Sequence, residues 1–132
     1  MNSAPASLTM LRIGATVTAL LSILQPVLYL LKFAGVSGVM KVHGITGQGM
    51  FVMCVFAAVS AILWARASGN KGLMGHAIGL AIGALAQVAL GELKLTTLHI
   101  TLGIAMLAGA IALAVLAYRK PGSPTTPVAG EA

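Results

Sequence analysis

The sequence predicts an all-α integral membrane protein, an up-down bundle of four transmembrane helices. Three observations carry that expectation. Of the 132 residues, 58% are apolar and only 8% are charged, whereas roughly a quarter of a soluble domain is charged. The mean hydropathy is +1.00, and a chain this short cannot hide so much apolar surface in a water-soluble core. The apolar residues also fall into four long runs separated by short polar or glycine-rich breaks. Each run is long enough to cross ~30 Å of hydrocarbon at 1.5 Å per residue.

Residues 1–8 form a short polar lead. The first span is expected over about residues 9–33. Its first half resembles a signal sequence, but the run is long and Lys32-Phe33-Ala34-Gly35 lacks a small-x-small cleavage pattern, so it reads as a retained span. Gln25-Pro26 lies inside it; membrane helices tolerate proline, and a kink is expected there. Ala34 to Gly38 makes a turn. The second span covers about 41–67, with Trp64 and Arg66 at its far end, and Ser68 to Gly72 is a tight polar turn. The third covers about 73–91 and carries Gly75, Gly79 and Gly83 at four-residue intervals, a ridge on which another helix can sit closely. After Glu92-Leu93-Lys94 the fourth span covers about 95–118 and stops at Arg119-Lys120-Pro121-Gly122. One transmembrane domain over 1–120 is thus expected, followed by a Pro- and Thr-rich, disordered cytoplasmic tail over 121–132.

Short turns make consecutive helices antiparallel neighbours. Arg12, Arg66, Lys71, Arg119 and Lys120 then share one face of the membrane, and Lys32, Lys41 and Lys94 the other. That bias puts both termini in the cytoplasm. Trp64 and Tyr118 are expected in the inner aromatic belt and Tyr29 near the outer one. The net charge of +6 reflects scarce acids, Glu92 and Glu131 being the two. The cations sit singly at span ends, without a basic cluster interleaved with aromatics, so lipid headgroups and not nucleic acid are the expected partners. Cys54 is alone and mid-span, a small buried hydrophobe.

Two stretches share a pattern. His43 is followed by Gly47 and Met50, and His99 by Gly103 and Met106, at the same offsets of four and seven. Those offsets share one helix face. Spans two and four are parallel and diagonal in the bundle, and both histidines fall at similar depth near the outer face. Adjacent helices lie about 8–10 Å apart, so a diagonal of roughly 12–14 Å has room for two imidazoles with an iron between them. The glycines would leave space for a macrocycle and the methionines would floor it. The alternative is that each histidine is an ordinary interfacial residue bonded to headgroups or water. His76 opens span three at the other face, without the pattern, and reads as interfacial. Gln25, Gln48 and Gln87 are the polar groups within the spans and are expected to face the interior. Gln87, near the histidines' depth, could bond a histidine nitrogen, a haem propionate or a neighbouring backbone. Thr96, Thr97 and Thr101 could cap span four or orient His99.

No two carboxylates lie together and none sits inside a span, which excludes paired acid–base catalysis and a proton-coupled carrier built on an intramembrane acid. No phosphate loop, Cys-rich metal site or nucleophile triad is present.

Gln87-Val88-Ala89-Leu90-Gly91, a turn, and then Leu98-His99 with Leu102-Gly103 resemble the third-to-fourth helix passage of one half of a haem A synthase. The resemblance covers roughly residues 9–118. It implies a four-helix bundle in which His43 and His99 ligate haem. The catalytic half of that family carries Glu three residues before its second-helix histidine and Arg after it; Met40 and Gly44 stand at those places. The chain is therefore more similar to the half that binds haem b without performing the chemistry, and to small uncharacterised four-helix membrane proteins of actinobacteria. The resulting expectation is a bis-histidine haem b protein of the bacterial inner membrane, for electron transfer or haem handling and not for hydroxylating haem itself, with a homodimer or a larger respiratory complex as its assembly. The alternative is a cofactor-free accessory subunit or assembly factor of such a complex.

Overall fold

The computed structural model describes residues 5–120. The tail over 121–132 expected to be disordered lies outside them. Among the described residues there are four helices: α1 Ala6–Phe33, α2 Val39–Ser68, α3 Gly72–Glu92 and α4 Thr96–Arg119. Each holds an 18-residue stretch of mean hydropathy between 1.7 and 2.5, and each is long enough to cross a membrane. The expected spans agree with these bounds to within three residues. α1 runs without a break through Pro26.

The helices form a closed ring. α1 packs on α2 and α4, and α3 packs on α2 and α4, while neither diagonal pair brings backbones within 8 Å. The bundle is packed most tightly at the end that holds the start of α1 and the close of α2. There Leu8, Leu11, Ala15, Ala61, Trp64, Leu73, Ala77, Leu113 and Ala117 are buried together. Small side chains make this possible: a Cβ on Gly14 would stand 3.2 Å from the Ala57 backbone. Trp64 is only 4% exposed, so it belongs to this core and not to the lipid-facing belt its position suggested. Tyr118 does face outward, 58% exposed.

Arg12 closes the same end. Its Nε donates to the Ala117 carbonyl at 3.2 Å and its Nη2 to the Lys120 carbonyl at 2.9 Å. These are carbonyls that the last turn of α4 leaves without helical partners, and the cation also suits the negative end of the helix. The guanidinium lies 5.4 Å from the Tyr118 ring centre.

The two turns at the opposite end share one design. After α1, Val36 N–H donates to the Leu31 carbonyl and Gly35 N–H to the Lys32 carbonyl; after α3, Leu95 N–H donates to Leu90 and Lys94 N–H to Gly91. Both pairs are the six-to-one and four-residue closures of a Schellman ending. Its left-handed position holds Gly35 at φ 81° in the first turn but Lys94 at φ 56° in the second. A side chain there costs about 1 kcal/mol relative to glycine.

Candidate functional site: a paired-histidine cavity

The end of the bundle with the Schellman turns is open. A cavity of ≈ 460 Å³ lies there, lined from all four helices, within the range of roughly 300–1,000 Å³ typical of small-molecule sites. His43, His99, Gly47, Gly103, Met50, Met106 and Gln87 all line it. The residues of the sequence pattern therefore lie around one chamber. Met50 and Met106 are buried at its base, 6% and 4% exposed.

His43 on α2 and His99 on α4 face each other across the diagonal, ring centres 6.1 Å apart and ring planes at 57°. Each ring is held from the preceding helix. His99 Nδ1 lies 3.0 Å from the Gln87 carbonyl of α3, and His43 Nδ1 lies 3.3 Å from the Gln25 carbonyl of α1. A carbonyl only accepts, so these bonds put the proton on Nδ1 and leave Nε2 with its lone pair. This is the outer-shell bond that ordinarily orients a metal-ligating imidazole. The Gln25 amide adds a choice of tautomer on the α2 side. In one orientation its Nε2 donates to Thr46 Oγ1 at 2.8 Å. Turned over, the amide nitrogen sits 3.0 Å from His43 Nδ1, which would make Nδ1 an acceptor and move the ring proton to Nε2.

Gly47 and Gly103 both line the cavity, and each lies beside the glutamine side chain of the preceding helix. A Cβ on Gly103 would stand 2.8 Å from Gln87 Nε2, and one on Gly47 would stand 3.6 Å from Gln25 Oε1. Gln–His–Gly thus occurs twice, once in each helical hairpin. The glutamine carbonyl holds the imidazole, and its amide lies over the glycine one turn further along. Gln87 is 9% exposed, and its Oε1 has no hydrogen-bond partner. A buried carbonyl oxygen left unpaired in a ligand-sized cavity is a group that a bound molecule or water would satisfy. Gln48, expected to face the interior, is exposed yet reaches the cavity wall.

Several expectations about neighbouring residues change. No side chain caps α4; Thr101 donates to the Thr97 carbonyl at 2.9 Å and Thr96 to the Lys94 carbonyl at 3.4 Å. These threonines satisfy their hydroxyls on nearby backbone and do not orient His99. His76 is not simply interfacial: its Nε2 lies 2.8 Å from the Gly109 carbonyl and ties α3 to α4. Of the glycine ridge, Gly83 is filled by Met106, while Gly75 and Gly79 look into open space. Cys54 is buried, 1% exposed, as expected.

Sequence reasoning treated Gln25 as an interior polar residue, not as part of the site, and it did not single out Tyr29, Lys32 or Lys94, which also line the cavity. One signal was available. Lys32 follows Gln25 by seven residues, and Lys94 follows Gln87 by seven.

Among the described residues, no group of three or more His, Cys, Asp or Glu side chains could hold a metal ion. The site offers two imidazoles. A bare metal ion in a protein cage ordinarily takes three or four side chains. A tetrapyrrole iron already has four in-plane nitrogens and takes one or two further ligands from the protein. Compared with known proteins, the chain matches no family model, no curated protein and no solved structure.

Proposed function

We propose that this chain is a haem b-binding membrane protein in which His43 and His99 are the axial ligands, serving electron transfer or haem handling. The observation that carries this reading is the pair of imidazoles 6.1 Å apart, each with Nδ1 at a backbone carbonyl. Two metal–nitrogen bonds of about 2 Å, with about 1 Å from each ring centre to its nitrogen, total roughly 6 Å. The apolar base and the cavity volume fit the same occupant. Haem would supply a reversible one-electron couple. The protein residues would hold it: Gln25 and Gln87 fix ring orientation, and the methionines exclude water from the inner side. With Met40 and Gly44 in place of the family's Glu and Arg, the site is read as binding haem and not hydroxylating it. The resemblance supports the bacterial inner membrane as its location, and the Lys and Arg distribution supports cytoplasmic termini.

A second reading, a cofactor-free accessory subunit, is favoured by Gly75 and Gly79, both exposed on α3 with nothing within 4 Å of an added Cβ. A homodimer or a larger respiratory complex could use that face. Protein purified from haem-replete membranes distinguishes the readings. A reduced-minus-oxidised spectrum of a low-spin, six-coordinate b-type centre, lost in His43→Ala and in His99→Ala and kept in His76→Ala, is expected. A colourless, folded protein would sink the haem reading.

A further inference from the structure

Two cations stand at the mouth of the cavity, and neither is needed to build the bundle. Lys32 lies in the last turn of α1, and Lys94 lies in the turn between α3 and α4. Both line the cavity, with Glu92 the one carboxylate among the lining residues. Each lysine follows by seven residues the glutamine that holds a histidine. Lys32 is carried by the last turn of α1, and Lys94 by the turn that follows α3, at the same end of the bundle. Lys32 Nζ lies 6.0 Å from the ring centre of Tyr29, another wall residue.

Lys94 breaks a local rule to be there. It occupies the left-handed position of a Schellman turn, at φ 56°, where the sister turn has Gly35. Glycine takes that conformation without steric cost and lysine does not. The Lys94 side chain is exposed, so packing does not repay the strain. A position that violates local preference without a packing gain points to a role outside folding.

We infer that Lys32 and Lys94 form a cationic rim that binds paired carboxylates on the edge of the cavity's ligand, so that the site selects a dicarboxylate tetrapyrrole and orients its acidic edge toward the mouth. This inference rests on the haem reading. The chemistry divides the cavity by depth: methionines at the base, imidazoles in the middle, ammonium groups at the rim. An amphiphilic planar ligand with an apolar body and an anionic edge matches that gradient in one direction only.

The test compares iron protoporphyrin IX with its dimethyl ester, titrated into the full chain in one neutral detergent and read at the Soret band. The wild type should bind the free acid more tightly, by roughly three- to tenfold at low salt, and that preference should shrink as salt is added. Lys32→Gln with Lys94→Gln should abolish the preference while leaving the ester's affinity and the bis-histidine spectrum unchanged. Lys94→Gly is the folding control: it should raise resistance to unfolding and still reduce the preference. Equal binding of acid and ester by the wild type, or a preference that survives in the double variant, overturns the rim while leaving bis-histidine ligation standing. A Soret band that neither compound shifts overturns both.

Discussion

Gly47 and Gly103 occupy equivalent places in the two hairpins, yet alanine should be accepted at one and resisted at the other. At Gly47 an added Cβ would lie 3.6 Å from Gln25 Oε1, an ordinary contact. At Gly103 it would lie 2.8 Å from Gln87 Nε2, so the amide of Gln87, buried to 9% exposure, must leave its place over the glycine and move into the cavity it lines. Both substitutions gain helix propensity of about 1 kcal/mol. That term is common to the two variants, so the difference between them isolates the clash. Overpacking a filled site costs roughly 1–3 kcal/mol, which is about 5- to 150-fold in the unfolding constant. Unfolding by SDS in mixed micelles reads this directly. The chain's single tryptophan, Trp64, is buried at the far end of the bundle from both glycines and reports global unfolding. Gly47→Ala should match or exceed the wild type, and Gly103→Ala should unfold at lower SDS. Adding Gln87→Ala to Gly103→Ala should recover most of the loss, because the clashing group is gone. Equal midpoints for the two glycine variants, or a larger loss at Gly47, would refute the argument that Gly103 is a notch for Gln87.

Two further outcomes are expected from contacts away from the cavity. Arg12→Lys should lower stability almost as much as Arg12→Met, by about 1–2 kcal/mol in the same titration, because an ammonium cannot serve both the Ala117 and Lys120 carbonyls as the guanidinium does. His76→Ala should cost about 1 kcal/mol through the lost 2.8 Å bond to Gly109, with no change in any haem spectrum.

The sequence reading of the site named seven residues that line one cavity and did not show how that cavity is built. The His, Gly and Met offsets are visible along a helix because side-chain direction follows the 3.6-residue period. The bond from Gln87 O to His99 Nδ1 is not visible, because every residue has a backbone carbonyl and its type says nothing about which one meets a ring. The glutamines that lie beside the two glycines are hidden for the same reason. An empty position looks like room for a ligand until the neighbouring helix is placed, and here that helix brings a glutamine amide. Trp64 was assigned to an interface by its nearness to a helix end, but packing against small residues such as Ala61 drew it inside.

What the sequence determined by itself is the class, the four spans and the diagonal pairing of α2 with α4. Apolar runs of span length, cut by short turns, leave lipid-spanning antiparallel helices as the solution that satisfies every backbone group. The tertiary structure alone decided where the bundle is tight and where it opens. Small side chains and the Arg12 latch close one end, while two imidazoles meeting from opposite helices leave the other with a cavity. It also decided that Lys32 and Lys94 both reach the rim of that cavity. A linear sequence fixes how many residues separate each lysine from its own glutamine, but only packing the two hairpins together brings both lysines to one shared mouth.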